Sequence, residues 1–139
     1  MASVVAIGPD AALLEGIAQT LVGAGHQVLV ARDIPEAMDR LHGQEPLVAL
    51  VECNELLNGG ATLKSALANG GALLTFHCEG SEGVRPPFSF QRATLADLTL
   101  PLERQRLLAL IKYVETRVHI TGRENRRRGG DDATSRISD

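Results

Sequence analysis

Five short, mostly apolar runs divide the chain, and segments with turn residues or helical periodicity separate them. The runs occupy residues 4–7, 28–30, 47–51, 72–76 and 98–100. Consecutive apolar positions are typical of parallel strands that are covered on both faces of a sheet. The pattern therefore predicts five buried strands.

Helical signals follow most of these strands. Asp10 follows the first strand and can cap a helix, because its carboxylate can accept from the free N–H groups of the first turn. Asp33 and Pro35 follow the second strand and are typical of a helix start. A short helix is predicted over residues 61–68. Apolar side chains at helical spacing predict a longer helix after the fifth strand, ending near Val118.

Strands that alternate with helices predict a parallel sheet with helices on both faces. One interval departs from this rhythm, because residues 80–87 contain two prolines and two glycines, which disfavour a regular helix. We expect an irregular loop there in place of a helix. Residues 121–139 contain few apolar side chains, so we expect a domain over residues 1–120 and a flexible tail or linker over residues 121–139.

Composition narrows the class of protein but not its partner. The chain has 139 residues, enough for one domain, with 44% hydrophobic and 22% charged residues and a net charge of −3. The basic run at residues 126–128 has no aromatic neighbours for stacking on bases, which argues against nucleic-acid binding. The sequence shows no signal peptide, no apolar run near the roughly 18 residues of a membrane span and no disulfide framework. We therefore expect a cytoplasmic protein.

Functional side chains of open parallel sheets lie at the carboxyl ends of the strands. Here those positions hold Gly8, Pro9, Glu52, Thr75, Leu100 and Pro101. The order and spacing of the elements, the threonine of strand four and the proline after strand five resemble the receiver domains of response regulators (the CheY-like family) over residues 3–118. The resemblance implies a flavodoxin-like fold, with five parallel strands in the order 2-1-3-4-5 and a fourth helix that is degraded or replaced by a loop.

The resemblance also implies that most of the catalytic set is missing. A typical receiver binds Mg²⁺ with an acidic pair after strand one, accepts phosphate on an aspartate after strand three and carries a lysine before the proline. The corresponding residues here are Gly8 and Pro9, Glu52 and Leu100, whereas Thr75 and Pro101 match the family. Mg²⁺ binding needs carboxylate oxygens, and phosphoryl transfer needs charge neutralisation. We therefore predict a pseudo-receiver that is not an enzyme, is not phosphorylated and uses no metal or cofactor.

Two further candidate sites lie at the same strand ends. Glu52 is either a solvated acid or an imitation of a phosphorylated aspartate that hydrogen bonds to Thr75. Cys53, His77 and Cys78 are metal-binding residue types, but neighbours on a strand point to opposite faces, and the spacing of zinc sites is missing. We predict no metal site.

The predicted function is protein–protein interaction in two-component-type signalling, with a histidine kinase or another regulator as partner and no membrane contact. Arg85, Phe88 and Phe90 of the predicted loop are the candidate partner surface, and the apolar face of the last helix would allow a homodimer. Two alternatives stay open. One is a small-molecule or nucleotide-binding domain that uses the strand carboxyl ends, and the other is a regulatory fragment of a larger histidine kinase or transcription factor.

Overall fold

The computed structural model describes residues 2–78 and 94–132 of the chain, with side chains up to residue 118. Its strands are β1 (Ser3–Ile7), β2 (Gln27–Ala31), β3 (Val48–Glu52), β4 (Ala72–Cys78) and β5 (Thr94–Leu100). They form one parallel sheet in the order β2-β1-β3-β4-β5. The predicted flavodoxin-like sheet and its strand order are confirmed.

Helices cover both faces of this sheet. They are α1 (Ala11–Gly23), α2 (Ile34–Leu41), α3 (Gly60–Ala66) and α4 (Arg104–Asp132), together with a 3₁₀ helix at Cys53–Asn58. None of the helices in the described part of the chain combines the length and apolarity that a membrane span requires.

Alternating strand residues divide the core into two layers. Val4 and Ala6 of β1 pack with the buried side chains of α1 and α4, whereas Val5 and Ile7 pack with those of α2, α3 and the 3₁₀ helix. All four of these valine, alanine and isoleucine side chains are buried. Burying a side chain the size of valine or isoleucine stabilises a fold by about 1.5–3 kcal/mol, so both layers contribute to the stability of the sheet.

Two aspartates start the first two helices as the sequence predicts. The backbone N–H of Leu13 donates to Asp10 Oδ1 at 3.1 Å, and that of Glu36 donates to Asp33 Oδ1 at 2.8 Å. Pro35 lies in the first turn of α2, where a missing N–H leaves no helical hydrogen bond unmade.

Two element boundaries and one additional element depart most clearly from the prediction. β5 begins at Thr94 rather than residue 98, because the polar Asp97 interrupts its apolar pattern and hides the start of the strand. The 3₁₀ helix after β3 was not predicted. The backbone of α4 stays helical to Asp132, beyond the expected end near Val118, so the predicted tail begins within a helix.

The domain boundary at residue 120 stays a prediction. The predicted loop in place of a fourth helix, with its candidate contact residues Arg85, Phe88 and Phe90, lies outside the described residues.

Candidate functional site

The carboxyl end of β1 is tightly packed around Gly8. Gly8 is buried, and a Cβ atom added to it would lie 3.1 Å from Cζ of Phe76 and 3.4 Å from Cβ of Glu52. A side chain at position 8 would therefore require the Phe76 ring to shift by a few tenths of an ångström. Pro9 has no side-chain oxygen, and the carboxylate of Asp10 caps α1. The position of the receiver acidic pair therefore presents no metal ligand.

The side chain of Glu52, at the end of β3, hydrogen bonds to the backbone two residues further along the chain. Its Oε1 accepts from the N–H of Asn54 at 2.5 Å, which caps the 3₁₀ helix. The hydroxyl of Thr75 donates instead to Asp97 Oδ1 at 2.8 Å. The hypothesis that Glu52 imitates a phosphorylated aspartate by bonding to Thr75 is wrong for this structure, because each group is committed to another partner.

The end of β5 is apolar where a typical receiver carries its lysine. Leu100 is fully buried and packs in the core layer formed with α1 and α4. Pro101 follows it through a cis peptide bond and is exposed. The position therefore supplies packing and no positive charge.

The richest polar group in the described part of the chain lies on β4, β5 and the residue after β3. It comprises Cys53, Thr75, His77, Asp97 and Thr99, and we call it the β3–β5 polar network. Thr75 pairs with Asp97 and His77 with Thr99 in the parallel register of β4 and β5. All four strand residues therefore point to the sheet face that packs against α2 and α3, opposite Phe76 and Leu100.

Asp97 connects the members of this network. Its Oδ1 accepts from Thr75 and from the Cys53 thiol, whose Sγ lies 3.3 Å away. Its Oδ2 lies 3.6 Å from Nδ1 of His77. The other ring nitrogen of His77, Nε2, is 2.9 Å from the hydroxyl of Thr99. One carboxylate thus organises a chain of contacts from Cys53 to Thr99.

The environment keeps both cysteines in the thiol form. Burial raises the pKa of Cys53 to about 12, and the negative charge of Asp97 and the hydrogen bond to it act in the same direction. Burial, with the charges of Asp10 and Glu52, also raises the pKa of Cys78. A nucleophilic cysteine needs a lowered pKa, so neither thiol has the character of a catalytic nucleophile.

The local sequence pattern does not mark Asp97 as a site residue. Its position was not assigned to a strand, and its pairing with Thr75 follows only from the register of β4 and β5. Cys53 and His77 were considered as metal ligands together with Cys78. The structure instead groups Cys53 and His77 with Asp97, within 4.8 Å of one another.

The sequence matches no known family model and no curated protein. Solved structures of similar fold include receiver domains. NtrX from Brucella abortus in complex with ADP is 16% identical with a TM-score of 0.72, and the match covers 95% of this chain and 30% of that chain. A CheY-like receiver domain protein from Methanospirillum hungatei JF-1 is 15% identical with a TM-score of 0.59, covering 81% of this chain and 96% of that chain.

A third similar structure is a response regulator receiver modulated diguanylate cyclase from Pelobacter carbinolicus. It is 15% identical with a TM-score of 0.65, and the match covers 88% of this chain and 98% of that chain. At these identities the similarity is one of fold, and the predicted receiver fold is confirmed. The chain spans about 30% of the length of the NtrX chain.

Proposed function

We propose that this chain is a non-enzymatic, phosphorylation-independent pseudo-receiver that acts by binding a protein partner in two-component-type signalling. The observation that carries the proposal is the approach of Phe76 to Gly8. A side chain at position 8 would begin 3.1 Å from the ring, closer than an ordinary van der Waals contact, and neither Gly8 nor Pro9 supplies a carboxylate for a Mg²⁺ ion.

Two further positions support this proposal. The transferred phosphoryl group carries negative charge that a receiver-type site must neutralise, and Leu100 replaces the ammonium group with a buried leucine. The hydroxyl of Thr75, which could contact a phosphoryl oxygen, is fully buried and donates to Asp97. With no side-chain metal ligand at Gly8 or Pro9 and no ammonium group at position 100, none of these three positions would balance the charge of a phosphorylated side chain at position 52.

The partner we propose is a histidine kinase or another regulator, with Arg85, Phe88 and Phe90 as candidate contact residues. This part of the proposal comes from the sequence, because those residues lie outside the described ranges. Homodimer formation through α4 is a further proposal. Leu102, in the turn before α4, and Tyr113 of this helix are exposed, and tyrosine is enriched at protein interfaces.

A small-molecule function has less support. A groove between α1 and the start of α4, lined in part by Gly16, Thr20, Pro101 and Arg104, has a volume of about 230 Å³. Ligand pockets usually have volumes of about 300–1,000 Å³, so this groove is smaller than a typical ligand site. An adjoining and more open depression, lined by Pro101, Leu102, Arg104 and Gln105, has a volume of about 340 Å³.

The proposal is tested by amide NMR of the full chain titrated with Mg²⁺ and then with Mg²⁺ plus beryllofluoride, which imitates the phosphoryl group. We expect no saturable shifts at Gly8, Glu52 or Thr75, whereas an ordinary receiver under the same conditions should respond. Saturable shifts clustered at these three residues would overturn the proposal.

A matched variant tests whether the missing acceptor residue alone, or the missing metal site as well, prevents phosphorylation. Glu52→Asp restores the usual acceptor residue but leaves Gly8 and Pro9 unchanged. We expect no phosphorylation of this variant by acetyl phosphate, measured by intact mass. Phosphorylation of Glu52→Asp would mean that only the acceptor had been lost and that the rest of the site still functions.

A further inference from the structure

The β3–β5 polar network combines three different metal-binding groups in one place. The thiol of Cys53, the imidazole of His77 and the carboxylate of Asp97 come from β4, β5 and the residue that follows β3. One ligand atom from each lies within 4.8 Å of the other two. We propose that these three side chains form a binding site for one Zn²⁺ ion.

Two separations, each to a different oxygen of Asp97, are close to those of a zinc site. Cys53 Sγ lies 3.3 Å from Asp97 Oδ1, and His77 Nδ1 lies 3.6 Å from Asp97 Oδ2. Zinc bonds of about 2.3 Å to sulfur and 2.0–2.1 Å to nitrogen or oxygen, at tetrahedral angles, place ligand atoms about 3.4–3.5 Å apart. Small side-chain rotations would therefore bring the three atoms around a common centre.

One nitrogen of His77 is available for a metal. Nδ1 is buried and has no hydrogen-bond partner among the residues that the structure describes. A buried polar atom without a partner is costly, and a metal bond would satisfy it. The contact between Nε2 and the hydroxyl of Thr99 holds the plane of the ring, and in the tautomer in which Nε2 donates, Nδ1 carries a free lone pair.

Asp97 is also held by a second group. The hydroxyl of Thr75 donates to its Oδ1, while Oδ2 faces His77. Outer hydrogen bonds of this kind orient metal-binding carboxylates and histidines in zinc proteins. The network therefore supplies both the three ligands and the partners that position two of them.

The mixture of donors favours zinc over magnesium. Mg²⁺ prefers oxygen ligands alone, whereas sulfur, nitrogen and one carboxylate together suit Zn²⁺. Three protein ligands leave the fourth tetrahedral position for water or an external ligand. Binding needs the thiolate, so Cys53 releases its proton to solvent as the ion binds. This proposal does not depend on the proposed function, because the site lies on the opposite face of the sheet from Phe76.

The test uses the full chain after removal of metal with a chelator and dialysis. We expect one Zn²⁺ per chain by elemental analysis after reloading. Co²⁺, used as a spectroscopic substitute, should give the d–d bands of a four-coordinate ion and a near-ultraviolet charge-transfer band from thiolate to cobalt. Cys53→Ser should remove the charge-transfer band, and His77→Gln and Asp97→Asn should each abolish stoichiometric binding.

Cys78→Ser is the matched control, because Cys78 is the other free thiol of the described residues and neighbours His77 without belonging to the site. It should keep both the stoichiometry and the charge-transfer band. Thr99→Val leaves all three ligands in place and should weaken Zn²⁺ binding by about 10-fold, since loss of an outer partner typically costs 10–100-fold in metal affinity.

Several outcomes would overturn the proposal. They are the absence of stoichiometric Zn²⁺ in the wild type, retention of the charge-transfer band in Cys53→Ser, and its loss in Cys78→Ser. Amide NMR spectra show which variants are folded. If Cys53→Ser does not fold, His77→Gln and Asp97→Asn decide the matter, and full binding by either folded variant contradicts the site.

Discussion

The two halves of the sheet's carboxyl edge have opposite chemical character. At β1, Gly8 and Pro9 offer no side-chain donor or acceptor, and the Phe76 ring from β4 packs closely against Gly8. On the other face, at β4 and β5, Thr75 and Asp97 take part in a continuous set of polar contacts. The same edge of one sheet is thus apolar on one side and polar on the other.

The fully buried polar side chain in this comparison, Thr75, has a hydrogen-bond partner. The cost of burying its hydroxyl is offset because Asp97 accepts its hydrogen bond. The carboxylate pair of an ordinary receiver would have no such partner beside Phe76. Residues without a charged side chain avoid the cost of burying an unpaired charge. The same reasoning accounts for the leucine at position 100, where a typical receiver has a lysine.

Leu100→Lys should have the largest effect, since it puts the receiver's usual lysine into the apolar half. Leu100 is fully buried among side chains of α1 and α4, so an ammonium group there has no partner. We expect the free energy of unfolding to fall by about 3–5 kcal/mol, measured by urea denaturation. Leu100→Met is the control and should cost less than about 1.5 kcal/mol. Equal stability of the lysine variant would show that this position reaches solvent and that the contrast between the halves is smaller than proposed.

Asp97→Ala tests the polar half, and it should be done with a metal chelator present. The substitution leaves the buried hydroxyl of Thr75 and the thiol of Cys53 without their shared acceptor. We expect a loss of about 2 kcal/mol in the free energy of unfolding, the typical cost of an unsatisfied buried group. Asp97→Asn keeps one carbonyl oxygen and should lose less. If alanine and asparagine behaved alike, Asp97 would not be the centre of the network.

Asp10→Ala tests whether Asp10, in the apolar half, caps a helix or binds a metal ion. Because Asp10 caps α1 through the N–H of Leu13, its loss should lower the free energy of unfolding by about 1 kcal/mol. Asp10→Asn, which caps equally well, should match the wild type. An effect of either variant on amide shifts induced by Mg²⁺ would contradict the assignment of Asp10 to capping alone.

The sequence was sufficient for the fold but not for the polar half of the site. Apolar runs and two capping aspartates predict the sheet and its first helices, because burial and capping depend on local pattern. Asp97 could not be found in this way, since its role arises from its pairing with Thr75 across two strands. The contact between Phe76 and Gly8 is likewise non-local, although the glycine itself signalled a missing acid.

Glu52→Ala should have the smallest effect, and it addresses the one carboxylate that lies where the two halves meet. Glu52 accepts from the N–H of Asn54 at the start of an exposed turn, so we expect a loss of about 0.5 kcal/mol in the free energy of unfolding. The amide shifts of Thr75 and Asp97 should stay unchanged, because neither side chain bonds to Glu52. Glu52→Gln keeps an acceptor and is the control for the turn. A large shift at Thr75 in the alanine variant, with none in the glutamine variant, would mean that Glu52 and the polar network communicate. In that case, the two halves of the edge would have to be treated as one site.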